Sequence, residues 1–491
     1  MRLLGVMFTA ASLALLGAAG AGASARPLLA VGYTSPAALR AVVVGRADVV
    51  RLYPRLHVAK VRATSVGFPA AARRASGIRY VERVRRRVSA AEPALFASTS
   101  FGVPYEWQYA AAHVDTIPAG ILRAASAVTI AVIDTGADLA APDLAAKAPH
   151  TYNVHTGGAD VRDTIGHGTF VASLAAGSVT NGEGVAGFGG DAKLLVIKAS
   201  GLGGSFTDID EANAIVYAVD HGARVINLSV GGPNSSETER RCIAYAVDHG
   251  ALVVAAIGNE YTLGNPVEYP AALLQPVGSN GNGGIGLSVG ASATDGSRAF
   301  FSNTGSHLSL VAPGDRVFGA VSSTASPAAY ATVTLPGSST GLYGFGSGTS
   351  FAAPEVAGAA ALVMAANPLL PAADVAQILK ESASNRGVWN AATGFGVLDV
   401  AGAVARAQNR PVASLTPRRF GNAIRLRWAS SGAATYRLTV SAGHRTPVVL
   451  LDRTTRTSAA YRLARGPRYT FSVTAFDALG TRIASATASV R

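Results

Sequence analysis

The sequence has a single cysteine, Cys242, so no disulfide can form within the chain. Cys242 lies in the helical pattern RRCIAYAVDHG, where a small buried hydrophobic residue is a better interpretation than a reactive thiol. Charged residues make up 14% of the 491 residues, whereas hydrophobic residues make up 49% and glycines number 55. This composition excludes a disordered chain and predicts roughly two to four globular domains that are stabilised by large cores.

Acidic residues are scarce towards both ends of the chain. Residues 26–88 contain 14 Lys and Arg but 2 Asp and Glu, and residues 410–491 contain the same numbers. Between them, residues 89–409 contain 13 basic and 25 acidic residues. This acidic middle argues against a nucleic-acid enzyme, despite the net charge of +13 for the whole chain. The pattern indicates that the basic segments meet the acidic middle, or that one of them meets an external anion.

The first 25 residues, MRLLGVMFTAASLALLGAAGAGASA, form the long apolar run of the sequence. The positive charge of Arg2, the apolar run and the small residues Ala23-Ser24-Ala25 are typical of a signal peptide, 1–25, that is removed. The alternative is a signal anchor that stays in the membrane, but the run thins into glycine and alanine before Ala25. No other run approaches the roughly 18–20 residues that span a bilayer. We therefore expect a secreted, soluble product with no transmembrane anchor after signal cleavage.

Three segments with different patterns follow. Residues 26–88 alternate in strand fashion around the helical pattern FPAAARRASG and predict a small α+β unit. Residues 89–409 alternate strands such as VTIAVIDTG with helices such as SFAAPEVAGAAALVMAANP, which predicts an α/β domain with a parallel sheet flanked by helices. Residues 410–491 contain short strands at intervals of about ten residues and predict an all-β sandwich.

The segment YAVDHGA occurs twice, at 217–223 and at 245–251, and each copy reads as a helix end, a glycine stop and a strand start. We assign His221 and His249 a structural role in the last helical turns rather than a catalytic one. The strands that follow end in NLSVGG and AIGNE. Because ligands bind beyond the carboxyl ends of parallel strands, both segments are expected near a functional site.

Four polar residues end strands or begin helices, namely Asp134, His167, Asn259 and Ser350. Taken singly, each has an ordinary explanation, as a turn aspartate, a loop histidine, a turn asparagine and a helix-capping serine. Together they supply what acyl transfer requires: a nucleophile, a base that takes its proton, an acid that fixes the tautomer of the base, and a donor for the developing oxyanion. A helix beginning at Ser350 would add backbone N–H groups near the reacting oxygen.

The motifs IAVIDTGAD, GHGT and GTSFAAP resemble those of the subtilisin-like serine proteases, or subtilases, and the resemblance covers about residues 103–405. It implies that Asp134 orients His167, that His167 is the general base and then the acid, and that Ser350 attacks the substrate carbonyl. Asn259 and the Ser350 N–H would form the oxyanion hole, and catalysis would need no cofactor. Phe170 and Glu355 stand where many subtilases have histidine, at positions that are not catalytic.

The resemblance also implies where a polypeptide substrate binds. The walls of the primary specificity pocket would be Ser229, Val230 and Gly231 on one side and Ala255, Ala256, Ile257 and Gly258 on the other. The segment Gly204, Ser205 and Phe206 would form an edge strand that pairs with the substrate backbone, as extended peptides often bind. Because the walls are small and apolar, we expect a hydrophobic side chain before the cleaved bond.

Some subtilases bind a structural calcium ion, and the resemblance extends this expectation to Asp143 and the loop TNGEG at 180–184. Carboxylate and carbonyl oxygens suit calcium. The ligand pattern in this sequence is incomplete, so the residues that would complete the site stay open.

The flanking segments also resemble known modules. Residues 26–88, especially LHVAKVRA and IRYVERV, are similar to the inhibitory propeptide of subtilases, which implies an intramolecular inhibitor whose removal falls between about Arg85 and Val103. The alternative interpretation of the arginines at 85–87 is a solvated strand end. Residues 410–491 loosely resemble a fibronectin type III domain, and their positive charge predicts binding to an anionic cell-wall polymer or to the catalytic domain, unless they serve as a spacer.

These observations predict a secreted serine endopeptidase that is made as a self-processing zymogen. Two alternatives are a catalytically silent adhesion or binding protein that keeps the protease fold as a scaffold, and a narrow processing peptidase that cleaves one partner. The four intact site residues argue against the silent scaffold.

Overall fold

The computed structural model describes residues 26–89, 105–201, 203–324, 330–333, 335, 342–430, 432–443, 446–464 and 468–490. The chain divides into two compact units, which meet in the sequence between Arg83 and Val84. The predicted signal peptide, 1–25, lies outside the described residues, as do residues 90–103 of the predicted processing window.

The first unit has the small α+β fold that the sequence predicts. Its elements are β1 (Leu28–Tyr33), α1 (Pro36–Val43), β2 (Ala47–Tyr53), β3 (Val58–Ala63), α2 (Phe68–Arg74) and β4 (Ile78–Arg83). The strands form an antiparallel sheet in the order β2-β3-β1-β4. Val31 of β1, Leu39 of α1 and Phe68 of α2 belong to one hydrophobic core, so the helices and the sheet stabilise each other.

The second unit contains the predicted parallel sheet. Its first elements are β5 (Arg86–Ser89), α3 (Trp107–Ala111), α4 (Ala119–Ala124), β6 (Thr129–Asp134), α5 (Pro142–Ala145), β7 (His150–Asn153), α6 (His167–Ala176), β8 (Lys193–Lys198), β9 (Phe206–Thr207), α7 (Asp208–Asp220), β10 (Val225–Leu228), β11 (Val230–Gly231), α8 (Glu237–Asp248) and β12 (Leu252–Ala256). They are followed by α9 (Ala271–Leu274), β13 (Leu287–Ser292), β14 (Leu310–Pro313), β15 (Val317–Val321), β16 (Ala331–Val333), β17 (Leu342–Gly346), α10 (Thr349–Ala366), α11 (Ala372–Ser382) and α12 (Val400–Asn409). Single 3-10 turns lie at Ala125–Ala127 and Tyr261–Leu263.

Seven strands form the central sheet in the order β14-β13-β12-β10-β6-β8-β7, and every neighbouring pair is parallel. The strands β10 and β12 are buried at every position, because helices cover both faces of a parallel sheet. This confirms the predicted α/β class and brings the carboxyl ends of β6, β10 and β12 to one edge of the sheet.

The repeated segment YAVDHGA ends α7 and α8 as predicted. Gly222 and Gly250 follow these helices with φ of 82° and 79°, a left-handed conformation that glycine adopts without strain. The Nδ1 atoms of His221 and His249 each lie 2.8 Å from the carbonyl oxygen four residues earlier, which satisfies an acceptor of the last helical turn. Both histidines therefore have the structural role that the sequence indicates.

The helix α10 corrects one expectation. Its 18 residues have a mean hydropathy of 1.4, so by length and composition the run could cross a membrane, although we expected no such run after residue 25. The helix is 89% buried among other elements, and a Cβ atom at Gly358 would lie 2.6 Å from the backbone nitrogen of Gly189. It is a core helix whose small residues allow close packing.

Within the described residues, two small antiparallel sheets accompany the central one. The strand β5 lies between β11 and β9, and β17 lies between β15 and β16. The second of these sheets lies just before GTSFAAP in the sequence, since β17 ends at Gly346.

The C-terminal segment is all-β, as predicted. Its strands are β18 (Ala413–Phe420), β19 (Ala423–Ser430), β20 (Thr435–Ala442), β21 (Val448–Thr454), β22 (Ser458–Arg462), β23 (Tyr469–Phe476) and β24 (Arg482–Val490). They form two antiparallel sheets, β18-β19-β22 and β21-β20-β23-β24. Trp428, Leu438 and Phe471 are buried in one core that draws on both sheets.

Candidate active site

Asp134 and His167 form a buried pair at the edge of the central sheet. Asp134 ends β6, and His167 is the first residue of α6 rather than part of the loop before it. The Asp134 Oδ1 atom lies 2.7 Å from His167 Nδ1, and the two residues are 1% and 2% exposed. The carboxylate therefore favours the tautomer with the proton on Nδ1, which leaves Nε2 to exchange protons.

Asp163 holds the start of α6 in place, a role that the sequence analysis missed. Its Oδ2 accepts the backbone N–H and the hydroxyl of Thr169, at 2.8 and 2.6 Å. Its Oδ1 accepts the hydroxyl of Thr135 at 2.9 Å, and that hydroxyl accepts the N–H of Gly168 at 2.8 Å. One buried carboxylate thus joins the end of β6 to the first turn of α6. The signal was an aspartate four residues before the histidine, just ahead of a helix start.

Ser350 lies in the first turn of α10 and is fully buried. The N-cap is Gly348, with no side-chain capping bond, so the interpretation of Ser350 as a helix cap is wrong. The Ser350 hydroxyl donates to the carbonyl oxygen of Ser229 at 3.2 Å, and the Ser229 hydroxyl donates to the carbonyl oxygen of Ser350 at 2.7 Å. The helix start is thereby fixed against the residue that follows β10.

The helices that carry Ser350 and His167 pack together. The ring of Phe351, the neighbour of Ser350, has its centroid 5.7 Å from that of His167 and 4.4 Å from that of Phe170. Phe170, which stands where a histidine was expected from the resemblance, therefore packs between α6 and α10. Glu355 is fully buried in α10, and burial raises the pKa of its carboxyl well above the usual value.

Asn259 follows β12 and is oriented by Thr349, a second residue that the sequence analysis missed. The Asn259 Oδ1 atom accepts the backbone N–H of Thr349 at 2.8 Å and its hydroxyl at 2.9 Å. The same hydroxyl accepts the N–H of Gly258 at 3.2 Å. Because the amide oxygen is held by Thr349, the Nδ2 end is the donor that faces the start of α10, 3.2 Å from the position of a Cβ atom at Gly348.

The two predicted substrate-binding segments enclose β5. Val230 and Gly231 pair with Ser89 and Val88, whereas Phe206 and Thr207 pair with Arg87 and Arg86. Of the predicted edge strand, Phe206 lies in β9, and Gly204 and Ser205 lie just before it. Ala255 and Ala256 end β12, and Ile257 and Gly258 follow it, all four of them buried.

The interpretation of residues 85–87 as a solvated strand end is wrong for Arg87. This side chain is 1% exposed and pairs with two buried glutamates, Glu211 and Glu239. Neither glutamate was singled out in the sequence, because each has the position of an ordinary acidic residue in the first turn of a helix.

Asp143 lies beside a second carboxylate. The Asp143 Oδ1 atom accepts the Asn181 amide at 3.0 Å and the N–H of Val185 at 3.2 Å. Glu106 accepts the N–H of Ala186 at 2.7 Å. Burial raises the pKa of both carboxyls, and the charge of Asp143 raises that of Glu106 further. Among the described residues, no three His, Cys, Asp or Glu side chains cluster as metal ligands, so further oxygens would have to come from the backbone or from amides.

Comparison with known proteins agrees with this geometry. The Peptidase_S8 family model, described as the subtilase family, matches residues 125–396. The chain belongs to the subtilase family. The matched residues include Asp134, His167, Asn259 and Ser350.

Curated relatives come from Haloferax and Bacillus. The chain is 35% identical over 393 residues to halolysin of Haloferax mediterranei, which covers 76% of this subtilase and 69% of halolysin. It is 35% identical over 243 residues to a thermophilic serine proteinase of Bacillus sp. strain AK1, covering 50% and 53% of the two chains. It is 34% identical over 268 residues to subtilisin E of Bacillus subtilis strain 168, covering 53% and 62%. The chain thus spans about half to three fifths of the length of these two Bacillus relatives.

Solved structures show the same fold. Fervidolysin from Fervidobacterium pennivorans, a keratinolytic enzyme related to subtilisin, aligns with a TM-score of 0.63 at 18% identity, over 91% of this subtilase and 86% of fervidolysin. A mutant of the epidermin leader peptide processing serine protease from Staphylococcus aureus aligns with a TM-score of 0.62 at 22% identity, over 78% and 100% of the two chains.

Proposed function

We propose that this subtilase is a secreted serine endopeptidase that hydrolyses peptide bonds through an acyl-enzyme at Ser350. The observation that carries the proposal is the buried 2.7 Å contact between Asp134 and His167, beside the helix α10, whose first turn contains Ser350. In the first step His167 takes the hydroxyl proton as Ser350 attacks the substrate carbonyl carbon. The imidazolium then donates this proton to the leaving amine, and water releases the acyl group by the reverse sequence.

The oxyanion of each tetrahedral intermediate would be stabilised by the Asn259 amide and the Ser350 N–H. The Asn259 side chain is already oriented by Thr349, so its N–H need not reorganise during the reaction. The first turn of α10 adds the positive end of its helix dipole.

Casein digestion tests this function against the alternatives. The full chain is expressed as wild type and as Ser350→Ala, and the secreted products are compared by mass spectrometry and by casein hydrolysis. We expect wild type to mature and to digest casein, and the variant to do neither. Maturation without casein digestion would favour a narrow processing peptidase, and no maturation of wild type would favour the silent scaffold. The same spectra locate both termini and thus test removal of residues 1–25.

We propose further that residues 26–88 act as the inhibitory propeptide. The strand β5 occupies the groove between β9 and β11, where an extended substrate would pair. Residues 26–88 are strongly basic and residues 89–409 are acidic, so attraction favours their association. A synthetic segment 26–88 should inhibit the mature enzyme, less strongly at high salt. A lack of inhibition at low salt would contradict this role.

The basic segment 410–491 is proposed to bind an anionic cell-wall polymer. The support is its composition, with 14 Arg and Lys against 2 acidic residues, on a β-sandwich with its own core. Wild type should co-sediment with acidic wall polymer at low salt, whereas a chain that ends at Asn409 should not. Equal sedimentation of the two chains would indicate that the segment is a spacer.

A structural calcium ion is proposed at Asp143. The donors that fit calcium are the buried carboxylate of Asp143, the partly buried carboxylate of Glu106, the Asn181 amide and the carbonyl oxygens of the adjoining loop. Burial raises the pKa of Glu106 most and the charge of Asp143 raises it further, and a cation there would offset both effects. The ion would stabilise the loop and would take no part in the chemistry.

A further inference from the structure

Arg87 is a buried arginine that the hydrolytic chemistry does not use. Its Nε donates to Glu211 Oε2 at 2.9 Å, and its Nη2 donates to Glu239 Oε1 at 2.5 Å. Both glutamate side chains are 0% exposed. One guanidinium therefore binds two carboxylates in a pocket that excludes water, on the strand that occupies the substrate groove.

The pocket is built by the fold of the second unit and not by Arg87. Glu211 lies in the first turn of α7, and Glu239 is the third residue of α8. Glu239 Oε2 accepts the N–H of Ser236 at 3.3 Å, and the Ser236 hydroxyl accepts the N–H of Glu239 at 3.1 Å, which is a capping box. Both carboxylates thus stand at the positive ends of helices, which favour their ionised forms.

Without a cation between them, the two buried carboxylates would destabilise the folded protein. Burial raises the pKa of both glutamate carboxyls, and the charge of Glu239 raises that of Glu211 further, whereas Arg87 lowers both. The negative charge of Asp208 favours the charged form of Arg87, and the charge of Arg87 in turn lowers the pKa of Glu268. Buried charges of one sign are stable only with a partner of the other sign.

We propose that Glu211 and Glu239 form an arginine-binding subsite that selects substrates, so that this subtilase cleaves polypeptides at sites marked by an upstream arginine. The inference rests on the proposed endopeptidase function and names its substrate class. The strand β5 mimics a bound substrate, because it pairs with β9 on one side and β11 on the other, as an extended peptide would.

The register of the paired strands gives the number of residues between the arginine and the cleaved bond. Ser89 lies opposite Val230, so the next residue of a bound chain would lie opposite Ser229. The Ser229 carbonyl oxygen accepts the Ser350 hydroxyl at 3.2 Å, which puts that next residue beside the nucleophile. The arginine is then the fourth residue before the cleaved bond. In this sequence the bond is Ala90–Ala91, inside the expected processing window.

Lysine would not replace arginine fully. The planar guanidinium reaches both glutamates at once through different nitrogen atoms, whereas an ammonium group is a point charge on a flexible stem. Peptides with arginine at this position should therefore be cleaved with a higher kcat/KM than those with lysine, and lysine peptides with a higher kcat/KM than glutamine peptides.

The test uses enzyme matured from the full chain and blocked fluorogenic peptides of sequence Arg-Val-Ser-Ala, Lys-Val-Ser-Ala and Gln-Val-Ser-Ala. Breaking a buried ion pair is strongly unfavourable, so kcat/KM for the arginine peptide should exceed that for the glutamine peptide by ~100-fold or more. A wild-type ratio below about threefold would overturn the subsite while leaving the endopeptidase proposal intact.

The matched variant is Glu211→Gln with Glu239→Gln, made together with Arg87→Gln so that no charge is stranded during processing. Its arginine-to-glutamine ratio should fall to a fewfold, because the pocket then offers two neutral amides to either side chain. Glu237→Gln alone is the control, because Glu237 is an exposed residue of the same helix and its replacement leaves the buried ion pairs of Arg87 intact, so the ratio should stay unchanged. A ratio that survives the loss of both glutamates would refute the proposal. If the triple variant does not fold, the wild-type ratios decide.

A failure of the proposed function is recognised separately. Should wild type cleave neither the peptides nor casein, the subsite is tested by binding of the labelled peptides to the Arg87→Gln chain, in which β5 no longer brings a guanidinium to the two glutamates. Tighter binding of the arginine peptide would uphold the subsite, and equal affinities would overturn it. The mature N-terminus gives a further check, since cleavage in this register begins the product at Ala91.

Discussion

Replacing Thr349 with valine removes one hydroxyl from the residue that orients the Asn259 amide. The hydroxyl donates to Asn259 Oδ1 at 2.9 Å and accepts the N–H of Gly258 at 3.2 Å. Valine has nearly the same shape, so the packing of this buried position is kept. The Thr349 N–H remains to hold Asn259 Oδ1 at 2.8 Å, and the amide loses one of its two anchors.

The size of the effect follows from these contacts. Loss of a whole oxyanion-hole donor lowers the kcat of subtilisin about 10²- to 10³-fold, so Asn259→Ala should cost that much here. Thr349→Val removes one of two orienting hydrogen bonds, worth about 1 kcal/mol, and should lower kcat roughly five- to tenfold. The unpaired N–H of Gly258 should also destabilise the fold by about 1–3 kcal/mol.

Steady-state hydrolysis of one fluorogenic peptide by wild type, Thr349→Val, Thr349→Ser and Asn259→Ala provides the assay, with thermal unfolding of each protein. We expect kcat to fall with KM nearly unchanged, because the oxyanion exists only in the transition state. Thr349→Ser keeps the hydroxyl and should restore kcat. A Thr349→Val enzyme with full kcat and a lowered Tm would refute the orienting role and leave a purely structural one.

Three further predictions concern other buried carboxyls. Asp134→Asn should lower kcat by about 10⁴-fold without unfolding the protein, because the amide favours the wrong tautomer of His167; a loss below tenfold would contradict the assigned role. Calcium in hundredfold excess over its Kd should stabilise wild type by about 2.7 kcal/mol in thermal unfolding, and Asp143→Asn should abolish this gain. Glu355 has a raised pKa, so its folded form keeps a proton that the unfolded chain loses above about pH 4.5, and stability should fall by ~1.4 kcal/mol per pH unit until the folded carboxyl ionises. Glu355→Gln should therefore exceed wild type in Tm at pH 8 and lose this advantage near pH 5.

Local patterns in the sequence were sufficient to predict the α/β class of the central domain. Strands such as VTIAVI and LVVAA are uniformly apolar because helices cover both faces of a parallel sheet, so their class could be predicted without knowing their neighbours. The order of the strands was not predicted, because periodicity reports which face is buried and carries no information on which strands pair.

The four site residues could be named because each stands in a motif of consecutive residues at a strand or helix end. The residues that hold these four side chains in place could not be named from the sequence. Asp163 and Thr349 act through side-chain contacts across loops, and an aspartate or threonine near a helix start has many ordinary explanations.

The sequence by itself determined the family and the fold class, and it named the candidate reacting groups, since these depend on local patterns and on short motifs. Only the tertiary structure showed that Arg87 is buried and paired with two glutamates. In the sequence it belongs to a basic run typical of a solvated strand end, and the glutamates that bury it lie 124 and 152 residues further along the chain. Charge pairing between residues so far apart depends on how the helices pack, and no local pattern encodes it.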